Sequence, residues 1–446
     1  MNIFNIFEEQ IKSIYQELTL TGAVLPEADL SRVAVELPRD ETHGDLACNV
    51  AMVLSKQVSM KPHELAALFA VKLETHNDVS TVEIAGPGFL NITLVPGRWG
   101  VEIADIMVSP SFGRSDIGKG QTVNIEFVSA NPTGPLHAAH ARGAILGDVL
   151  ANLLAFTGYD VLREYYINDA GAQVDVLARS AHLRYREALG EEDIVIPDGL
   201  YPGDYLKDVG AQLADFYQDS LLNNPEDDWL PIIRKFSINQ MMLSIKSDLL
   251  HMGIQMDVYS SERALVETGV VSRSIEKLAD MGLVYRGVLK PPKGQTPEDW
   301  EPREQLLFKA SDFGDDVDRP LQKSDGGWTY FASDVAYHMD KIERTGGSLI
   351  DIWGADHGGY VKRMKAATEA MSDQKDILDI KLCQLVTLLD KGKPVKMSKR
   401  AGTFVTLREV METVGADVMR FIMLTRRNDQ TLEFDYAKVT EKSREN

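Results

Sequence analysis

Residues 121–128, Gln121-Thr-Val-Asn-Ile-Glu-Phe-Val128, read as a strand, and Val161-Leu-Arg-Glu-Tyr-Tyr-Ile167 reads as a second. Between them Ile145, Val149 and Leu153 fall on one helical stripe, with Leu146, Leu150 and Leu154 beside it. Gly158 ends that helix at a position where a left-handed cap is easy. No other feature constrains the fold as much. A strand, a helix and a strand in under fifty residues make a βαβ unit, and βαβ units build parallel sheets. An α/β fold with a parallel sheet is therefore expected. Ligands of such sheets bind where a strand's carboxyl end meets the start of a helix. The segment Asn131-Pro-Thr-Gly-Pro-Leu-His-Ala-Ala-His140 lies at that junction.

His137 and His140 stand three residues apart where the helix begins. A metal site needs a third ligand that His-x-x-His does not supply. Simple packing, with both rings satisfied locally, is a second reading. The third is phosphate chemistry. A helix start presents free N–H groups and a positive dipole end to an anion, and two imidazole donors there can grip a pentacovalent α-phosphate. Pro132-Thr-Gly-Pro135 lets a ligand approach the backbone closely.

Lys396, Ser398 and Lys399 lie near Gly392, Pro394 and Gly402. They form either an exposed basic loop or a mobile one whose ammonium groups neutralise a leaving pyrophosphate. Together the two segments look like the halves of a nucleotide-triphosphate site. Tyr330 and Asp334, four apart, share a helical face. Asp334 is then a helix N-cap, or a carboxylate beside a phenol that binds a cationic side chain. Gly354-Ala-Asp-His-Gly-Gly359 follows the strand Ser348-Leu-Ile-Asp-Ile-Trp353 and is either an ordinary turn or part of the sheet's ligand edge.

The chain's 446 residues, 44% hydrophobic, suffice for more than one core. Residues 1–107 read as a small α/β module. Phe4, Ile11, Ile14, Tyr15 and Leu18 recur at helical spacing, and two strands flank Gly86-Pro-Gly88. Residues 118–404 read as the sheet domain, with a helical, acidic, proline-broken insertion at about 180–320. Lys381 to Leu389 reads as one buried strand. From residue 405 to 446 helices follow, including Val418 to Leu424. The net charge of −20 gives no general support for nucleic-acid binding, which needs a local basic face. Cys48 and Cys383 form no Cys-x-x-Cys pair, so no zinc site is expected and a reducing compartment fits. The first residues lack a basic signal-peptide region, and no apolar run reaches the length of a membrane span.

Ile125-Glu-Phe-Val-Ser-Ala-Asn-Pro-Thr-Gly-Pro-Leu-His-Ala-Ala-His140 and Arg163-Glu-Tyr-Tyr-Ile-Asn-Asp-Ala-Gly171 resemble the class I arginyl-tRNA synthetases of bacterial type. Lys396-Met-Ser-Lys-Arg400 is similar to that family's second signature, and the resemblance extends to Gly86-Pro-Gly-Phe-Leu-Asn91. It implies a Rossmann-type catalytic domain, a small α/β N-terminal domain that contacts the tRNA elbow, a helical insertion and the start of a C-terminal helical domain. It implies activation of L-arginine by ATP with Mg2+, without a tightly bound cofactor, and transfer to the terminal adenosine of tRNA(Arg), with tRNA bound first. A cytoplasmic monomer without a membrane partner is expected.

By position, the resemblance gives arginine contacts to Ser129, Asn131, His140, Tyr330, Asp334 and His357. It gives ATP contacts to Pro132, His137, Ala139, His140, Asp356 and Lys399. His137, His140, Lys396 and Lys399 are the expected catalytic groups. Two departures stand out. Ala139 occupies a position where the signature has glycine, and the sequence given ends at Asn446, where the family continues into an anticodon-reading bundle. A truncated bundle is the expectation. The competing reading is a non-catalytic tRNA-binding paralogue, against which the signature residues are all in place. A His-x-x-His metal hydrolase lacks its other ligands.

Overall fold

The structure, a computed structural model, describes residues 2–289, 303–323, 325–395 and 405–439. Contacts divide the chain into two units, Met1–Ser115 and Asp116–Asn446.

In the first unit Asn2 caps α1 (Ile3–Leu20) by accepting the Asn5 N–H at 2.9 Å. The helical stripe buries Phe7, Ile11, Ile14 and Leu18, while Phe4 stays half-buried. There follow β1 (Val35–Glu36), β2 (Leu46–Cys48), α2 (Val50–Leu54), α3 (Pro62–Leu73), β3 (Val79–Ala85), β4 (Phe89–Leu94) and α4 (Arg98–Val108). The strands form an antiparallel sheet in the order β1-β2-β4-β3. Phe7, Leu65, Phe69, Leu90 and Ile92 meet in its core. The expected strand–turn–strand is β3–β4. Its Gly88 has φ 145°, and a Cβ there would come within 3.0 Å of Pro62.

The second unit opens with the expected crossover: β5 (Thr122–Glu126), α5 (Ala139–Phe156) and β6 (Asp160–Ile167). Next come α6 (Ala172–Ala188), α7 (Tyr205–Tyr217), α8 (Glu226–His251), β7 (Val258–Ser261), α9 (Glu262–Glu267) and α10 (Val270–Asp280). Then β8 (Val284–Gly287), β9 (Gln305–Phe308) and β10 (Arg319–Pro320) form an antiparallel sheet. The chain returns through α11 (Tyr330–Thr345), β11 (Ser348–Gly354), α12 (Val361–Ser372) and β12 (Leu378–Cys383). It closes with β13 (Val386–Asp390), β14 (Lys393–Pro394), α13 (Leu407–Val414), α14 (Ala416–Met423), β15 (Leu432–Asp435) and α15 (Tyr436–Val439).

The central sheet is parallel throughout, in the order β12-β11-β5-β6-β7. From β5 the chain first builds toward β7, then returns to lay β11 and β12 on the other flank. The carboxyl ends of β5 and β11 therefore flank the point where strand order reverses, the place such sheets bind ligands. Gly147 lets α5 lie close over the end of β5, since a Cβ there would stand 2.2 Å from the Phe127 ring.

Two expectations need correction. The stretch expected to be helical at about 180–320 contains β7, a strand of the central sheet, and also β8–β10. β7 has only four residues, Val258-Tyr-Ser-Ser261, too few to show a period. The single strand expected from Lys381 to Leu389 is two strands in two sheets. The chain turns off at Gln384, whose N–H donates to the Asn428 carbonyl at 2.8 Å and whose carbonyl accepts from Arg142 at 3.1 Å.

Candidate active site

Just past β5 the backbone enters the left-handed region twice in succession, at Val128 (φ 70°) and Ser129 (φ 38°). A β-branched residue there is strained, and such strain gathers at functional sites. The turn throws the chain off the sheet edge. It also lets Ser129 Oγ donate to Glu126 Oε1 at 2.8 Å while accepting the Tyr166 N–H at 3.0 Å.

Beside this elbow lies a cavity of about 210 Å³. Its polar lining includes Glu126, Ser129, Tyr166, Asp334, His338, His357 and Tyr360. Asp334 comes from α11, and its Oδ2 accepts the Tyr360 hydroxyl at 2.5 Å. Burial pushes the Asp334 carboxyl up to about 6; the Tyr360 hydrogen bond and His338 pull it the other way, and Glu126 adds to the rise. Glu262, at the start of α9, is pushed up to about 7 by burial and then by Asp334 and Asp169. Among the described residues Glu262 Oε2 and the Tyr166 hydroxyl are buried without a hydrogen-bond partner. The cavity thus concentrates acceptors and negative charge, a fit for a cation with several N–H donors.

A second cavity, of about 120 Å³, adjoins the first. Both are lined by Val128, Ile352, Trp353 and Gly354, so these residues form a common wall. The second adds Ala139, His140 and Gly143 from α5, and Cys383 to Val386 from the β12–β13 turn. His137 and His140 stack, with ring centroids 3.7 Å apart and planes at 24°. The His137 N–H donates to His140 Nδ1 at 3.2 Å.

The segment that follows the lysine signature is drawn to the histidines by backbone pairing. Leu407 N–H donates to the Leu136 carbonyl at 2.8 Å, Ala138 N–H donates to the Val405 carbonyl at 3.3 Å, and His137 bridges Thr406. Thr406 caps α13 through a full capping box with Glu409, which fixes where that helix starts. Lys396, Ser398 and Lys399 themselves lie outside the described residues.

The expected site residues separate into groups. Ser129, Asp334 and His357 line the first cavity, and Ala139 and His140 the second. Asn131 lines neither and donates to Gln173 Oε1 at 3.0 Å. Pro132 is buried, and Asp356 is exposed beside His357, 3.7 Å away. Tyr330 is 67% exposed and lines neither cavity. As the first residue of α11 its side chain leans back past the helix end, although it shares a face with Asp334. The N-cap reading of Asp334 is overturned: Thr329 caps α11, accepting the Ala332 N–H.

Glu126, Tyr166, Glu262 and Tyr360 were not singled out from sequence. A signal for the first was present: Asn124 and Glu126 alternate with the apolar Val123, Ile125 and Phe127, and both are buried and hydrogen-bonded.

Comparison with known proteins gives the family. Residues 3–94 match the family model for the arginyl-tRNA synthetase N-terminal domain, and residues 102–204 match that for the class I (R) catalytic domain. An arginine–tRNA ligase of Cereibacter sphaeroides is 57% identical over 447 residues, covering 100% of this chain and 77% of the relative. One from Azorhizobium caulinodans is 57% identical over 452 residues with the same coverage. The solved arginyl-tRNA synthetase of Thermus thermophilus shares the fold, with a TM-score of 0.64 at 18% identity, over 98% of this chain and 78% of its own. The chain belongs to the arginyl-tRNA synthetase family, a class I family of aminoacyl-tRNA synthetases.

Proposed function

We propose that this protein joins L-arginine to ATP as an adenylate and passes the arginyl group to the 3′-terminal adenosine of tRNA(Arg). The observation that carries this reading is the pair of cavities across one wall. An acceptor-rich pocket suits the guanidinium, and a histidine-lined pocket at a helix start suits the nucleotide. A ligand group lying across Val128 and Gly354 reaches from one into the other.

Asp334 and Glu126 face the guanidinium, and the unmet hydroxyl oxygen of Tyr166 suits one of its remaining N–H donors. Tyr330, one turn before Asp334, and Asn131 are assigned further contacts to the amino acid. His137 and His140 hold the α-phosphate, with Lys396 and Lys399 on the departing pyrophosphate. The arginine carboxylate attacks the α-phosphorus in line. The bond to the bridging oxygen breaks and pyrophosphate leaves with magnesium, which arrives as part of the nucleotide substrate. A ribose hydroxyl of the tRNA then attacks the adenylate carbonyl and releases AMP. No side chain becomes a covalent nucleophile; positioning and charge stabilisation carry both steps.

The first unit is assigned to the tRNA elbow, and residues from 405 onward to the start of the helical domain that reads the anticodon. The enzyme works as a cytoplasmic monomer. No helix among the described residues is long and apolar enough to cross a membrane. Arginine-dependent exchange of pyrophosphate into ATP, measured with and without tRNA(Arg), tests the reading. Exchange that needs both arginine and tRNA is expected. No exchange with any amino acid or tRNA would favour the non-catalytic paralogue.

A further inference from the structure

Beneath the arginine pocket lies a charged group that the reaction does not touch. Lys341, on α11, is fully buried. Its ammonium donates to Glu126 Oε2 at 2.8 Å and to Asp351 Oδ1 at 2.7 Å. Glu126 and Asp351 stand opposite one another on the parallel strands β5 and β11. Two buried carboxylates so placed repel each other, and both cannot ionise without a cation between them. Asp351 Oδ2 also meets His338 Nε2 at 2.9 Å, while His338 Nδ1 lies 2.8 Å from the Asp334 carbonyl. A carbonyl only accepts, so Nδ1 donates there, and the contact at Nε2 needs a second proton shared with Asp351.

Of Lys341, Asp351 and Glu126, only Glu126 lines the pocket. Lys341 takes its Oε2 and the Ser129 hydroxyl its Oε1, which fixes the carboxylate plane and leaves the remaining lone pairs for a ligand. Lys341 thus supplies the one cation that lets Glu126 and Asp351 both stay ionised side by side.

We infer that Lys341 is a positioning residue for amino-acid selection: by bridging Glu126 and Asp351 under the pocket, it aims Glu126 at the substrate side chain and keeps that carboxylate charged. The inference rests on the arginine reading of this cavity. Burial works against a charged Lys341, but Asp351, Glu126 and Glu164 outweigh it and hold the ammonium protonated. The same ammonium helps keep Asp351 ionised against burial.

A double-mutant cycle on the whole chain tests it, using Lys341→Met, Glu126→Gln and the two combined. Calorimetric titration reads the dissociation constants of arginine and of ATP, and thermal melting confirms folding. Lys341→Met should weaken arginine binding by about tenfold or more and leave ATP within about twofold. In the Glu126→Gln background the same change should alter arginine binding by less than about twofold, because the group it acts through is already gone. Equal weakening of arginine and ATP, or effects on arginine that multiply across the cycle, would overturn the inference. If Lys341→Met alone does not fold, Glu126→Gln against the double variant, which removes the ammonium together with one of its two carboxylates and leaves Asp351 its His338 contact, gives the decisive ratio. A wild-type protein that binds ATP but not arginine would instead overturn the reading of the pocket, and that result is visible before any variant is made.

Discussion

The two cavities that share the Val128–Gly354 wall are built from different materials. The first is floored by formal charge. Glu126, Asp351 and Lys341 are buried together, Glu164 beyond them is paired with Arg344 at 2.7 Å, and the Tyr166 hydroxyl on the lining is left unmet. The second is shaped by backbone and stacked rings. On α5 the buried guanidinium of Arg142 donates to the carbonyls of Gln384, Gln430 and Arg427 at 3.1, 2.6 and 2.7 Å. That group holds the β12–β13 turn and the loop after α14 against the helix of the histidines. One pocket can therefore select its ligand by charge, because a wrong side chain leaves buried carboxylates unpaired. The other, on the proposed reading, selects by shape and by donors that suit a phosphate. Changes to the first should be specific to the amino acid, and changes to the second should appear in the phosphate chemistry.

The largest effect is expected where charge does the selecting. Asp334→Asn should weaken arginine binding by about 2–5 kcal/mol, on the scale for losing one partner of a buried charge pair, with ATP affinity little changed. Titration of each ligand checks this. A selective loss of ATP would place Asp334 with the other cavity and collapse the contrast. On the phosphate side, His137→Ala should lower the rate of adenylate formation by about 10²–10³-fold, the usual effect of losing one preorganised donor, with arginine affinity kept. Single-turnover exchange reads that rate; a wild-type value would return His137 to simple packing.

The contrast also explains which half was legible in sequence. The histidine half is local: strand, turn and helix start lie within one stretch, and the βαβ pattern alone puts His137 and His140 at the sheet's ligand edge. The charged half is assembled across distance. Glu126 meets Lys341 215 positions away, and Asp334 meets Tyr360 26 positions away, spacings that no periodicity encodes. Tyr330 shows the limit from the other side. Helical spacing correctly put it on the Asp334 face, but its place at the helix end, where the side chain leans outward, is a tertiary fact. β7 escaped notice for a related reason, since four residues become a strand only because β6 is there to pair with them.

A smaller effect should follow pH. On the proposed reading the guanidinium meets the ionised Asp334, and in the free protein burial pushes that carboxyl up to about 6. Above about pH 7 the group is already charged. As pH falls below 6 the free protein must give up a proton to bind, so arginine affinity should drop by about tenfold per unit. Glu262, near 7, should start the decline slightly earlier. Titrating arginine from pH 8 to 5 checks this, and Asp334→Asn should remove the main break. A flat profile would mean that Asp334 is not the carboxylate that meets the guanidinium.

The smallest effect is expected at Ala139, where the family signature has glycine. Ala139 is the first residue of α5 and lines the second cavity but not the first. Its methyl takes up room beside His140, where a nucleotide approaches the backbone. Glycine would open that space, and it would also loosen the helix start, at a cost below the ~1 kcal/mol that glycine carries in a helix interior. Ala139→Gly should therefore raise ATP affinity by less than about tenfold, the lower range for one methyl group in a pocket. It should lower the melting temperature slightly and leave arginine affinity unchanged. Titration of both ligands with a melting curve separates these terms. If ATP affinity stays fixed while stability falls, the cavity already accommodates the methyl, and the shared wall at Val128 and Trp353, rather than the start of α5, sets how deeply the nucleotide sits. A change in arginine affinity would instead show that the two pockets are coupled through that wall, and the division between a charge-selecting and a shape-selecting half would have to be redrawn.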